Sequence, residues 1–250
     1  MRGKLFGFTM LTVMSLGLMG LLAEMGQAAM PVTQFVVRID NVSTETTLKP
    51  SNGAKAPAAV APGAWLIHKS GEPLFTQGKP DRGKGLEALA EDGNPSGLAE
   101  SLAHDGNVLS HGVFNTPVGA SGPGPIGPGG AYEFTVSAAP GGQLSFAMMF
   151  GQSNDLFYAP GAKGIALFDA KGQPIRGDIT SKITLWDAGT EVNEEPGIGP
   201  NQAPRQSAPN TGPQEHGVVR PVSEVKDGFH YPAVSEVIRV TITPQQQMAQ

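Results

Sequence analysis

The sequence predicts an all-β fold: an antiparallel β-sandwich with two short helices packed at one edge or end. Three observations lead there. Apolar and polar residues alternate over short runs, the period of a strand with one face in a core and one in solvent. Each run is bounded by Gly, Pro, Asn or Asp, and Gly 34 with Pro 22 exceed one residue in five of the 250, so turns must be frequent. Only the stretch around 85–104 places Leu, Ala and Glu at helical spacing.

Arg2 and Lys4 precede a mostly apolar run from Leu5 to Leu22, and small residues follow at Gly26-Gln27-Ala28-Ala29. This is the layout of a secretory signal peptide over 1–29. An uncleaved anchor is the alternative, since about 18 apolar residues just span a bilayer. Cleavage is the expected outcome, leaving a secreted or periplasmic protein with no transmembrane segment and a single domain over 30–250.

The strands follow in order. "VTQFVVRIDNV" sets Phe35, Val37 and Ile39 against Gln34, Arg38 and Asp40; "AYEFTVSA" sets Tyr132, Phe134 and Val136 against Glu133, Thr135 and Ser137. "QLSFAMMF", "GIALFD", "SKITLWD" and "SEVIRVTIT" continue the series. Between the first two runs, "GLEALAE" and "PSGLAESLAH" read as the two helices, with Asn94-Pro95 as cap and first-turn proline of the second. The Pro/Gly-rich stretch at about 194–216 has hardly an apolar anchor and reads as a flexible loop.

Composition excludes several chemistries. Cysteine is absent, so neither disulfides nor thiol catalysis is available. Net charge is −5 with no basic run, which excludes nucleic acid as a partner. None of the five histidines accompanies a nucleophile motif such as Gly-x-Ser-x-Gly, so no enzyme is expected. Trp65, Phe157, Trp186 and Tyr231 read as packing residues.

One stretch asks for an explanation. In "ITLWDAGTEVNEEPG" an alternating run breaks at Asp187, and Glu191, Glu194 and Glu195 follow, with Lys182 the only basic residue within ten positions of Asp187. Crowded carboxylates repel unless a positive charge sits among them or water screens them. A bound cation is one answer and open solvent the other. Asp155 raises the same choice, because Asp in a turn also caps its own backbone.

The order "APGAWLIHKSGEPLF", "GLEALAEDGNPSGLAESL", "FAMMFGQSNDLFYAPG", "ITLWDAGTEVNEEPG", "HYPAVSEVIRVTIT" resembles the spondin domain family of F-spondin and mindin over about 32–243, in a bacterial, stand-alone version. Ser153-Asn154-Asp155-Leu156-Phe157 matches the family's Ser-Pro-Asp-Trp-Phe-like turn. Asp187-Ala188-Gly189-Thr190-Glu191 matches its Asp-Ala-Gly-Thr-Asp element. Asn154, Leu156 and Glu191 depart from the pattern, and the cysteines of animal members are missing. The resemblance implies a calcium-binding β-sandwich (Ca2+) with metal ligands at Glu133, Asp155 and Asp187. Glu191 stands where it could add a further carboxylate, and Gly189 would let the chain fold tightly round the ion. Calcium takes six to eight oxygens, whereas zinc favours Cys and His, which these motifs lack. Glu194 and Glu195 read as solvated loop charges.

The function expected is a non-enzymatic adhesion or binding module at the cell envelope or exterior, its partner a protein, glycan or envelope component. The alternatives are an envelope hydrolase with a metal-assisted site and a metal-free structural sandwich.

Overall fold

The computed structural model describes residues 32–245. The segment read as a signal peptide, 1–29, lies outside them. Eleven strands and three short helices follow one another: β1 (Thr33–Asn41), β2 (Val60–His68), α1 (Leu86–Asp92), α2 (Ser96–Leu102), β3 (Val108–Phe114), β4 (Ala131–Ala138), β5 (Gln143–Phe150), β6 (Leu156–Pro160), β7 (Ile165–Ala166), β8 (Gly177–Asp178), β9 (Ile183–Asp187), β10 (Arg220–Pro221), α3 (Val234–Val237) and β11 (Ile238–Pro244).

Every strand pair is antiparallel. A four-stranded sheet runs β4-β1-β11-β8, and a larger one runs β10-β9-β6-β5-β2-β3 with β7 on β5. The alternation read from the sequence sets the smaller sheet. Phe35, Val37, Ile39, Tyr132, Phe134 and Val136 are buried, while Glu133, Thr135 and Ser137 between them are exposed. The inward row meets Phe146, Met148, Phe150, Tyr158 and Leu185 of the larger sheet in one core. Truncating a ring such as Phe146 to Ala would cost about 3–5 kcal/mol.

The larger sheet is buried on both faces, which "QLSFAMMF" foreshadows by losing the alternation. Its outer face carries Ala64, Leu66, Ala147, Phe157, Ala159 and Trp186, which pack with Leu86, Leu89, Leu98 and Leu102 of the helices and with Phe75 in a second core. The two helices therefore lie over this face rather than at an edge or end: an apolar outer face left open would stay in contact with water. Trp186 also donates its indole N–H to Ala159 O at 3.1 Å. Helix α2 begins one residue later than the sequence suggests, and the Asn94 side chain accepts the Ser96 N–H at 3.1 Å. Among the described residues no helix is long and apolar enough to cross a membrane.

The segment read as a flexible loop is tied to the body. Gln202 is fully buried; it donates to Glu195 O at 2.7 Å and accepts the Gly197 N–H at 3.0 Å. The return limb runs beside the end of β9: Val192 N–H reaches Pro213 O, Glu215 N–H reaches Thr190 O, and Gly217 N–H reaches Gly189 O at 2.7–2.9 Å. Backbone hydrogen bonds and amide side chains hold this loop where apolar anchors are scarce.

Candidate metal centre

Two turns of the larger sheet build the site. Between β5 and β6, Ser153 Oγ donates to Phe150 O at 2.6 Å and accepts the Leu156 N–H at 3.1 Å, which fixes the turn that carries Asp155. Leu156 stands opposite Asp187 across β6 and β9, so the two aspartates come to the same end of adjacent strands. Past Asp187 the chain reverses through Gly189 at φ +70, where a Cβ would meet Val218 N at 2.6 Å. Only glycine fits that approach, and it brings the return limb with Glu215 alongside.

Asp155 and Asp187 are fully buried. One oxygen of each, together with one of Glu215, lies within 4.8 Å of the others. Asp155 Oδ2 accepts the N–H groups of Thr190 at 3.0 Å and Glu191 at 3.2 Å, but its Oδ1 has no partner. Asp187 Oδ1 accepts the Gly189 N–H at 2.7 Å; Oδ2 accepts Asn193 Nδ2 at 3.2 Å and Arg220 Nε at 2.8 Å. Glu215 Oε1 accepts Arg220 Nη2 at 2.6 Å, while Oε2 is buried without a partner. Asn193 Oδ1 is likewise buried and unpartnered.

Arg220, 33 positions beyond Asp187, is thus the positive charge that the local sequence lacks. One guanidinium does not balance three carboxylates. Burial first, and the neighbouring Asp187 second, push the Asp155 carboxyl well above its ordinary range. Two outcomes relieve that condition: a proton on Asp155, or a cation among the acceptors.

The donor set discriminates between cations. The unpartnered atoms Asp155 Oδ1, Glu215 Oε2 and Asn193 Oδ1 are all oxygens, which either a proton or a cation would satisfy. With Asp187 they make an all-oxygen set, the hard donor type that suits calcium and gives zinc no nitrogen or sulfur. The residues present therefore fit Ca2+.

The expected ligands divide. Asp155 and Asp187 come together as anticipated. Glu133 does not join them: it faces solvent from β4, between inward-facing Tyr132 and Phe134, and its carboxylate pairs with Arg38 at 3.4 Å. Glu191 reaches the site only through its N–H. Because that N–H turns towards Asp155, its buried side chain turns away. There Oε2 accepts Asn154 Nδ2 at 3.2 Å and Oε1 accepts the Gly212 N–H at 2.7 Å. Glu194 and Glu195 are half-buried and hydrogen-bonded within the protein rather than free loop charges: Glu194 accepts from Asn201, and Glu195 accepts Ser51 N–H and Oγ–H. Glu215 and Arg220 were missed, since 27 residues of Pro/Gly-rich chain separate Glu215 from Asp187 and no local pattern marks it; Asn193 was missed although it lies in the stretch after Asp187.

Glu91 and the His68–Ser145 pair are also buried, outside the centre. Glu91 of α1 is buried with Oε1 unpartnered, and burial foremost, with Glu191 nearby, pushes its pKa up to about 7. His68 accepts from Ser145 Oγ at Nε2 (3.0 Å) and donates from Nδ1 to Ser70 O (3.1 Å). Both members of this Ser–His pair are buried, so a substrate carbonyl cannot reach the hydroxyl. Burial also lowers the His68 pKa.

No protein-family model matches the chain, and no curated protein matches it.

Proposed function

We propose that the protein is a calcium-binding β-sandwich of the spondin type, exported, and acting as a non-enzymatic binding or adhesion module at the cell envelope or exterior. The observation that carries the cation is the buried group Asp155–Asp187–Glu215 with its unpartnered acceptor oxygens. The spondin reading rests on the order of the sequence motifs and on the meeting of the Asp155 turn with the Asp187 element. The inaccessible Ser145–His68 pair favours binding over hydrolysis. Isothermal titration of the chelated protein tests the cation directly: calcium should bind at one site, and magnesium more weakly, because it holds its waters and prefers a tighter shell. Absence of calcium heat and of any calcium-dependent change in stability would overturn the reading.

Arg220 favours a second reading. Its bonds to Asp187 and Glu215 supply a resident positive charge, and a proton on Asp155 would complete a metal-free structural cluster. The same titration separates the two.

A further inference from the structure

Strand β9 has an edge that its neighbour covers only in part. Ala188 N–H bonds Asp155 O on the β6 side. Because backbone groups alternate sides along a strand, Asp187, Leu185 and Ile183 turn theirs to the opposite side. There Arg220 stands opposite Asp187. The next residue of β10, Pro221, stands opposite Trp186, whose backbone faces β6, so the missing proline N–H is not needed. The chain then leaves in a single 3-10 turn at Val222–Glu224 before any residue pairs with Leu185. The Ile183 N–H is taken by Thr180 O. Among the described residues no backbone partner is found for the Leu185 N–H and C=O or the Ile183 carbonyl, which point away from β6.

They face a groove of about 820 Å³ whose floor is Ile183–Leu185 and whose walls include Val222, Val225, Phe229 and Tyr231. Its rim carries Lys226 and Asp227. Asp227 is already engaged by the Phe229 N–H and the Tyr231 hydroxyl, whereas Lys226 is exposed and forms no salt bridge among the described residues.

We infer that this groove binds an extended peptide segment of a partner protein by strand addition, the segment continuing the sheet where β10 stops. Unpaired backbone donors and acceptors along a strand edge are a template that another extended main chain can match in register. The apolar walls select apolar side chains at alternate positions, and Lys226 selects an acidic residue on the flank. The inference gives the binding-module reading a partner of stated chemistry, but it stands on the Leu185 edge and not on the cation.

The test is run in chelator, so that its outcome is independent of calcium. A displayed library of five-residue segments with Val, Ile, Tyr or Phe at alternate positions is selected on the protein, and the enriched peptide is synthesised with and without N-methylation of its backbone. In the free protein the Leu185 amide should exchange quickly while Thr184 and Trp186, bonded into the sheet, exchange slowly. The peptide should slow Leu185 exchange, and N-methylation or Val225→Asp should each weaken binding by about tenfold or more. The N-methylated peptide leaves the protein unaltered, so a folding defect in the variant cannot imitate the result. No enrichment over the Val225→Asp protein, or binding that leaves Leu185 exchange unchanged, overturns the inference. Protection of Leu185 without peptide, with a concentration-dependent dimer in light scattering, would put a second copy in the groove and equally overturn it.

Discussion

Asp155→Asn is the sharpest perturbation of the candidate metal centre. The side chain keeps its shape, so its remaining oxygen can still accept the Thr190 and Glu191 N–H groups that Oδ2 accepts now. The unpartnered Oδ1 becomes an NH₂ placed within reach of Glu215. A donor thus replaces an acceptor among acceptors, and repulsion with Asp187 disappears. In chelator the variant should be more stable than wild type by about 1–3 kcal/mol, the usual cost of an unsatisfied buried polar group. In calcium the order should narrow or reverse. With a Kd of about 10⁻⁴–10⁻³ M, the range of extracellular calcium modules, about 2 mM calcium should stabilise wild type by roughly 0.6–1.8 kcal/mol. That corresponds to a rise in Tm of about 1–7 °C in a domain of this size. The variant should lose most of that rise. Thermal melts of both proteins, in chelator and in calcium, make the comparison. An unchanged calcium response would refute Oδ1 as a ligand, and a lower Tm in chelator would refute the argument from the unpartnered oxygen.

Other expectations follow from the same contacts. Arg220→Ala should lower metal-free stability by about 2–3 kcal/mol, the value for breaking a buried pair discounted for the arginine's partial exposure, and should enlarge the calcium-induced rise in Tm. Glu133→Gln should leave the calcium response unaltered, since that side chain lies in the other sheet and pairs with Arg38; Glu191→Gln should also retain it, because the backbone N–H is what Asp155 uses. Glu91, with its pKa pushed up to about 7, binds its proton more tightly in the folded state than in the unfolded chain. It therefore contributes stability that is complete below its ordinary pKa and is lost as pH rises through about 7, by at most about 3 kcal/mol. Melts in chelator at about pH 5 and pH 8 should show that slope in wild type and a shallower one in Glu91→Gln.

The fold was legible because alternation is a local signal. Phe35, Val37 and Ile39, like Tyr132, Phe134 and Val136, declare an inner face within a single strand. The seat of the helices was not, because it depends on which strands of the larger sheet present Phe157 and Trp186 outward side by side. The centre divides along the same line. Asp155 and Asp187 each stand at a turn that their own neighbours announce. Glu215 and Arg220 arrive on a return limb held by backbone bonds to Gly189 and Thr190, and backbone pairing across a long irregular loop leaves little trace in side-chain pattern. Composition marked that loop as free; Gln202, Glu194 and Glu195 show amides and carboxylates anchoring it instead.

Carboxylates from positions 155, 187 and 215 meet at one point, and whatever bridges them closes two long loops of the chain at once. Arg220 already does so for the second, joining Asp187 to Glu215. Loop-closure entropy rises only slowly with length, so links across spans of this size constrain the unfolded chain about as well as shorter ones. In a protein without cysteine, the centre stands where a covalent cross-link would otherwise be placed. On the calcium reading, and unlike a disulfide, it would open and close with the ions and protons of the surrounding medium, and the rigidity of this end of the sandwich would follow the fluid around it as much as the chain.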